Sequence, residues 1–276
     1  MAFNVKSVSD AFSAALRWHL APFIRPKLDF ESIPVWVYVE NKDAHQIGLE
    51  YSYFRDEVLR KKERSLGALL EYVRWDILAH IPERARDFLL LHAGAVARDG
   101  RALLVPGSPE AGKSSLTLAL LQLGFDYLSD DIGAIDPVTT RVYPFQKRIA
   151  VRRSTIVRYF PQLEARLEDD LAGLGVSPRQ RFVRPEDAGA AISAPTQVGS
   201  IVLLGEDRTG PPRLRPLSRA AAVERMAAYA FNLYRYGDRG VVLLSRVAAD
   251  AKAFVLEGGT AIERAELLAD RVLVPE

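Results

Sequence analysis

The amino-acid sequence predicts an α/β fold, α+β once its first 85 residues are counted, on three observations. An apolar run at residues 103–106 breaks at a glycine-bounded turn and resumes as Leu116-Thr117-Leu118-Ala119-Leu120-Leu121, a strand, a tight loop and a helix in succession. Just before it, residues 88–96 and 102–106 flank Asp99-Gly100, a strong turn signal between two antiparallel strands. Just after it, Gly124 stops the helix, and Phe125-Asp126-Tyr127-Leu128-Ser129 reads as a further short strand ending at Asp130-Asp131.

Taken in order, residues 1–85 read as a small α+β N-terminal lobe and residues 86–276 as the main domain. In the lobe, residues 34–39 and 47–54 are rich in β-branched and aromatic side chains and are separated by a polar Asn-Lys-Asp segment, which suggests two paired strands. Leu66, Leu69, Leu70, Val73 and Ile77 then recur at helical spacing, so a helix is expected over 65–81, ending near Pro82. Trp18, Trp36 and Trp75 read as core or lobe-contact residues, and the lobe carries no chemistry of its own.

Residues 107–114 fit G-x-x-x-x-G-K-[ST], the P-loop, and the strand before and helix after it are the context that the motif requires. Glycines at both ends let the backbone curl so that N–H groups from Gly107, Ser108, Glu110, Ala111, Gly112, Lys113, Ser114 and Ser115 cradle a phosphate chain at the positive end of the following helix. Lys113 would reach the outer phosphates, and the Ser114 hydroxyl would take a place on Mg²⁺. Pro109 withholds one N–H, and Glu110 sets a carboxylate where polyphosphate would lie, so Glu110 either points to solvent or weakens nucleotide binding. His92 lies on the strand paired with the one that feeds this loop; a lone histidine there is either a hydrogen-bonded core residue or part of the site.

In an α/β sheet, ligands gather at the carboxyl ends of strands, which aims Asp130 and Asp131 at the phosphates held by Lys113. Two carboxylates there can divide the labour, one holding Mg²⁺ and the other accepting a proton from an attacking hydroxyl. Asp-Asp-Ile-Gly is also turn chemistry, the alternative reading. Arg152, Arg153 and Arg158 fall in a helical-looking segment, and Arg179, Arg181 and Arg184 in a proline-punctuated polar run, most of it solvated surface. Beyond these, 198–204 reads as a buried strand, 219–236 as one helix stopped near Gly237, and 253–256 as a short strand. Thr260-Ala261-Ile262-Glu263 has capping-box spacing and opens the last helix.

The 276 residues are 49% hydrophobic and 26% charged, the balance of an ordinary globular core, and the net charge of +2 argues against a nucleic-acid surface. With no cysteine, disulfides, thiolate nucleophiles and cysteine-ligated metals are excluded. No leader-like segment opens the sequence and no stretch approaches the ~18 apolar residues of a membrane span, so a cytoplasmic protein without a membrane partner is expected.

The order Leu-Leu-Leu-His-Ala-Gly-Ala-Val at 89–96, the Asp-Gly hairpin, the P-loop, and Gly-Phe-Asp-Tyr-Leu-Ser-Asp-Asp-Ile-Gly-Ala-Ile at 124–135 resembles the catalytic core of bacterial HPr kinase/phosphorylase. That family shares its P-loop architecture with ATP-dependent phosphoenolpyruvate carboxykinase. The similarity is greatest to the HPr-kinase-related proteins called HprK-related kinase A, which also have a Pro-Phe-x-Arg-like segment after the aspartates, here 144–150, and it spans most of the chain from about residue 60.

The resemblance implies a P-loop kinase core with a mixed β-sheet, ATP and Mg²⁺ as cofactors, and transfer of the γ-phosphoryl group to a hydroxyl, a serine of a protein or peptide or a small molecule. It implies that His92 lies near phosphate and metal, that Asp130 is the base toward the acceptor, and that Asp131, with Ser114, is on the metal side. Lys147 or Arg148 would supply a transition-state cation. Relatives can assemble as hexamers, which raises a homo-oligomer, and Phe231-Asn232 matches an aromatic–asparagine pair in related proteins. Pro109-Glu110-Ala111 departs from the family's glycine-serine-glycine loop. No counterpart is found for the N-terminal domain or the C-terminal signature of true HPr kinase, so HPr itself is not the expected acceptor. The other class in play is a nucleotide-dependent regulatory module in which ATP sets conformation without transfer.

Overall fold

The computed structural model describes residues 3–24, 33–40 (by backbone), 50–165, 167 and 180–272. The chain divides into two units, one built mainly from Met1–Arg84 and the other from Ala85–Leu167 with Arg181–Glu276. Among the described residues, no helix is long and apolar enough to cross a membrane.

The first unit is a four-stranded sheet with two helices. Strand β1 (Phe3–Ser7), helix α1 (Asp10–Leu20) and strand β2 (Ile33–Glu40) make a parallel crossover, and β3 (Glu50–Arg55) and β4 (Val58–Glu63) add antiparallel strands in the order β1-β2-β3-β4. Ser9 caps α1 through a side-chain bond from Phe12 N. Helix α2 (Leu66–Arg84) presents Leu69, Leu70, Val73 and Ile77 to Phe12, Ala15, Leu16 and Tyr53, as its periodicity predicts. It runs through Pro82 and stops two residues later, because a proline in the last turn removes one intrahelical donor and little else. Trp75 is exposed, which excludes the core, one of the two places expected for it. The Trp36 side chain and residues 47–49 lie outside the described residues.

The second unit is a mixed sheet covered on both faces, with the strand order β13-β14-β12-β6-β5-β8-β9. Strands β5 (Leu89–Arg98) and β6 (Arg101–Pro106) form the predicted hairpin, and positive φ at both Asp99 and Gly100 gives the turn a twist that matches the strands. Helix α3 (Lys113–Gln122) follows the P-loop. Next come β7 (Asp126–Ser129), β8 (Ile132–Ile135), β9 (Arg141–Tyr143) and β10 (Ile149–Arg152), then helices α4 (Arg153–Tyr159) and α5 (Pro161–Glu164) and strand β11 (Gln180–Val183), which pairs with β10. Strands β12 (Thr196–Leu204), β13 (Arg213–Pro216) and β14 (Lys252–Glu257), helices α6 (Arg219–Ala228) and α7 (Asp238–Val247), and α8 (Ala261–Arg271), opened by the predicted Thr260/Glu263 capping box, complete it. The parallel strands β6, β12 and β14 are flanked by antiparallel ones, and β9 also pairs with β12, so β12-β6-β5-β8-β9 forms a ring.

Alternation along the hairpin sorts its side chains. Val96, Leu103 and Val105 pack with α3 and α8, while Leu89, Leu91, Ala93, Ala95 and Ala97 pack with α6 and α7. A Cβ on Gly94 would stand 2.8 Å from Thr117 Oγ1, so this glycine is what lets α3 lie close against β5.

Two expectations are corrected here. The helix predicted over 219–236 ends at Ala228, because Tyr229–Asn232 leaves the helix to bond to β5, and a separate helix, α7, begins at Asp238. The segment 152–158 is split, since Arg152 closes β10 and only Arg153 and Arg158 lie in α4. Arg179 lies outside the described residues.

Candidate functional site

The site grows from the place where β6 ends. Gly107 N donates to His92 O, tying the start of the P-loop to β5, and the loop then turns through positive φ at Glu110 (62°) and Gly112 (100°) into α3. Gly112 meets this demand at no steric cost. No side chain caps α3, so its first N–H groups are left to face a ligand, the arrangement that binds phosphate. Glu110 turns its carboxylate outward, 79% exposed and 2.7 Å from Arg152 Nη2, and so clears the concave side of the loop. Of the two alternatives for Glu110, the outward one is observed.

Lys113 is buried and folds back over the loop, donating from Nζ to Gly107 O (2.9 Å) and Ser108 O (2.7 Å). Burial pulls its amine down to about 8, against the opposing pull of Asp131 and Asp130. A lysine parked on loop carbonyls at the mouth of a helix N-terminus has its charge where a phosphate chain would lie.

Strands β7 and β8 are one strand interrupted at Asp130-Asp131. Ala95 pairs with Ser129 and His92 with Ile132, so the two aspartates fall opposite Gly94 and Ala93 in an unbroken register. The interruption has a local cause, because Ser129 Oγ accepts bonds from Asp131 N and Ile132 N and so takes these N–H groups from the ladder, while Asp131 O still accepts from Ala93 N (3.1 Å). The tight-turn reading of Asp-Asp-Ile-Gly is thus realised as a kink inside a strand beside the P-loop.

The kink gives the two carboxylates different surroundings. Asp130 is 1% exposed and held by three donors: Ser114 Oγ at 3.1 Å, Tyr127 Oη at 3.1 Å, and Lys147 Nζ at 2.9 Å from its nearer oxygen. Burial and the adjacent carboxylate hold the Tyr127 phenol well above its ordinary value, so it remains a donor. Asp131 has a side chain 44% exposed; its Oδ1 lies 3.1 Å from His92 Nε2 and its Oδ2 3.8 Å from Lys147 Nζ. Partial burial would raise its pKa, but the His92 hydrogen bond and the Lys147, His92 and Lys113 charges outweigh that and hold it at about 2.

Lys147 arrives from the segment after β9. Phe145 N donates to Leu128 O, and the one Tyr127 hydroxyl proton is shared between Asp130 Oδ1 and Lys147 O (3.1 Å each), which pins that segment along β7 and sets the ammonium between the two aspartates. Of the two cations expected from this segment, Lys147 is in the cluster, whereas the Arg148 charge acts on Asp187. Ser114 donates to Asp130 (3.1 Å), which places it with that aspartate. Ser129 and Tyr127, which shape the kink and hold Asp130, carry no sequence signal, since both read as ordinary strand residues.

Among the described residues, no group of three or more His, Cys, Asp or Glu is arranged to hold a metal ion. The donor set of Ser114 hydroxyl and aspartate carboxylate suits Mg²⁺, which binds through one or two carboxylates and completes its shell with phosphate and water oxygens. A comparison with protein-family models finds no match, and neither does a comparison with curated proteins.

Proposed function

We propose that this protein is an ATP- and Mg-dependent kinase that transfers the γ-phosphoryl group to a hydroxyl, in the first instance a serine of a protein or peptide. The observation that carries the reading is the gathering of Lys113, Ser114, Asp130, Asp131, His92 and Lys147 around an uncapped helix N-terminus. Uncapped N–H groups and Lys113 would take the phosphate chain. Ser114 and Asp130 would hold Mg²⁺, which neutralises charge on the phosphates when bound.

The geometry favours a division of the aspartates opposite to the one the resemblance implies. Asp130 is 1% exposed behind Ser114, Tyr127 and Lys147, so an incoming hydroxyl cannot reach it without displacing one of them. Asp131 is the carboxylate an acceptor can reach, with His92 behind it and Lys147 beside it. As the acceptor oxygen bonds to the γ-phosphorus and the bond to the leaving ADP oxygen breaks, the hydroxyl proton passes to Asp131. A carboxylate with a pKa of about 2 is a weak base, which suits a loose transition state where proton transfer comes late.

The same low basicity favours, as a second reading, a regulatory module that binds nucleotide without transfer. Label transfer from γ-labelled Mg-ATP into a size-fractionated extract of the source cell separates the two. The native protein should label one macromolecular species, and Asp131→Asn should lower that transfer about 10²–10⁴-fold while keeping the rise in Tm that Mg-ATP produces. Label in small molecules alone would make it a metabolite kinase, and no transfer from protein that binds ATP would leave the regulatory module.

A further inference from the structure

We infer that Phe231 is a positioning residue that holds the His92 ring against Asp131, and that the segment Tyr229–Asn232 exists to place it there; the inference rests on the kinase reading for its catalytic consequence alone. The starting point is a hydrogen-bonding gap. Between Ala93 and Arg98, β5 is paired with β6, but β6 departs at Pro106 to become the P-loop. The groups of Leu90 and His92 that point to that side lose their strand neighbour just where the site is built, and buried backbone groups must find partners.

Tyr229–Asn232 takes over that edge. His92 N donates to Tyr229 O (2.8 Å), Phe231 N donates to Leu90 O (2.8 Å), and Leu91 bridges Ala230 in antiparallel sense. Asn232 finishes the job with its side chain. Fully buried, it accepts from Leu90 N at Oδ1 (2.9 Å) and donates from Nδ2 to Phe88 O (2.9 Å), standing in for one more residue of strand.

In this register Phe231 lies across from Leu90 and diagonal to His92 on the same face, the spacing at which cross-strand rings meet. The Phe231 and His92 ring centroids are 5.4 Å apart at 40°. Phe231 is 40% exposed, so core packing does not account for it, whereas the His92 side chain is 15% exposed and directs Nε2 to Asp131 at 3.1 Å. The tilted Phe231 ring flanks the imidazole on one side, and in the orientation it borders, the imidazole meets Asp131.

The test uses the full chain labelled with ¹⁵N-histidine; among its four histidines, His92 is assigned by His92→Gln. The native protein should show a slowly exchanging, downfield Nε2–H resonance from His92. Phe231→Leu, which keeps apolar volume but not the ring face, should lose it with Tm within a few degrees of native, and Phe231→Tyr should restore it. On Mg-ATP turnover, Phe231→Leu should lower kcat about tenfold with KM for ATP unchanged, as expected for a misaligned group outside the nucleotide contacts. The inference is overturned if Phe231→Leu keeps the resonance, if Phe231→Tyr fails to restore it, or if the resonance is lost with kcat unchanged. If the native protein shows no turnover at all, the kinase reading fails, and the resonance still decides whether Phe231 holds the ring.

Discussion

The two units each bury the same trio, a tyrosine hydroxyl, an aspartate and a cation, and only one of the trios stands in the candidate site. In the first unit Asp76 accepts from Tyr53 Oη (2.7 Å) and Arg55 Nη1 (2.6 Å), with β3 supplying two members and α2 the third. In the second unit Asp130 accepts from Tyr127 Oη and Lys147 Nζ. A closed trio satisfies its own charges and has nothing left to offer. What opens the second one is its neighbours: Ser114 brings the helix N-terminus to Asp130, and the strand kink sets a second, wetter carboxylate beside it. The cation differs as well. Arg55 also reaches His80 Nδ1 (3.0 Å), a fixed planar fork inside a protein core, while Lys147 is a point charge shared between two carboxylates.

The contrast can be broken by removing one member at a time. Asp76→Asn leaves Arg55 buried without its counter-charge and should cost about 3–5 kcal/mol in urea unfolding of the full chain, with the Mg-ATP shift in Tm retained. Lys113→Met should act in the opposite sense. The folded-state pKa of Lys113 lies below its unfolded value, so its charged form opposes folding below about pH 8, and that opposition fades as pH rises from about 8 to 10.5. The variant should therefore gain about 3 kcal/mol at pH 7 and lose the Mg-ATP shift. A variant less stable than native at pH 7 would count against a lysine held there for binding.

Smaller effects sharpen the same comparison. Gly94→Ala forces α3 off β5 and should cost about 1–3 kcal/mol, most of it recovered by adding Thr117→Ala, which removes the clashing oxygen; failure of that rescue would move the strain elsewhere. Asp131 gives the smallest signal. Its folded pKa of about 2 lies below the ordinary 3.8, so its contribution is complete above about pH 5 and is lost as pH falls through 2. With the side chain 44% exposed, screening reduces this to about 1 kcal/mol, read as the difference between native and Asp131→Asn acid-unfolding curves.

Legibility followed the range of the physical cause. The α2 stripe, the Asp99-Gly100 turn and the Thr260/Glu263 box are decided within a few residues, and each is found where the sequence puts it. Strand β8 escaped notice because Ile-Gly-Ala-Ile is short and follows a strong turn signal, and α7 because the helical pattern over 219–236 is stopped at Gly237, with no side-chain cap to mark a new helix at Asp238. In both cases a strand of distant sequence, β5, makes the decision: it pairs with β8 on one edge and with Tyr229–Asn232 on the other. Lys147 was legible as one of two neighbouring cations, but choosing between them needed the Phe145–Leu128 bond.

By itself the sequence determined the pieces whose geometry is set by backbone freedom and local spacing. These are the glycine-bounded loop, the helix that follows it, the histidine on the neighbouring strand, and a pair of aspartates one strand later. The tertiary structure alone decided that the two aspartates are unlike. Their difference comes from the β5 register, which sets them opposite Ala93 and Gly94, from Ser129 kinking the strand between them and Tyr127, and from a lysine held 17 residues from Asp130 along the chain. Adjacent identical side chains have the same local propensities, and only burial and long-range partners can separate their chemistry.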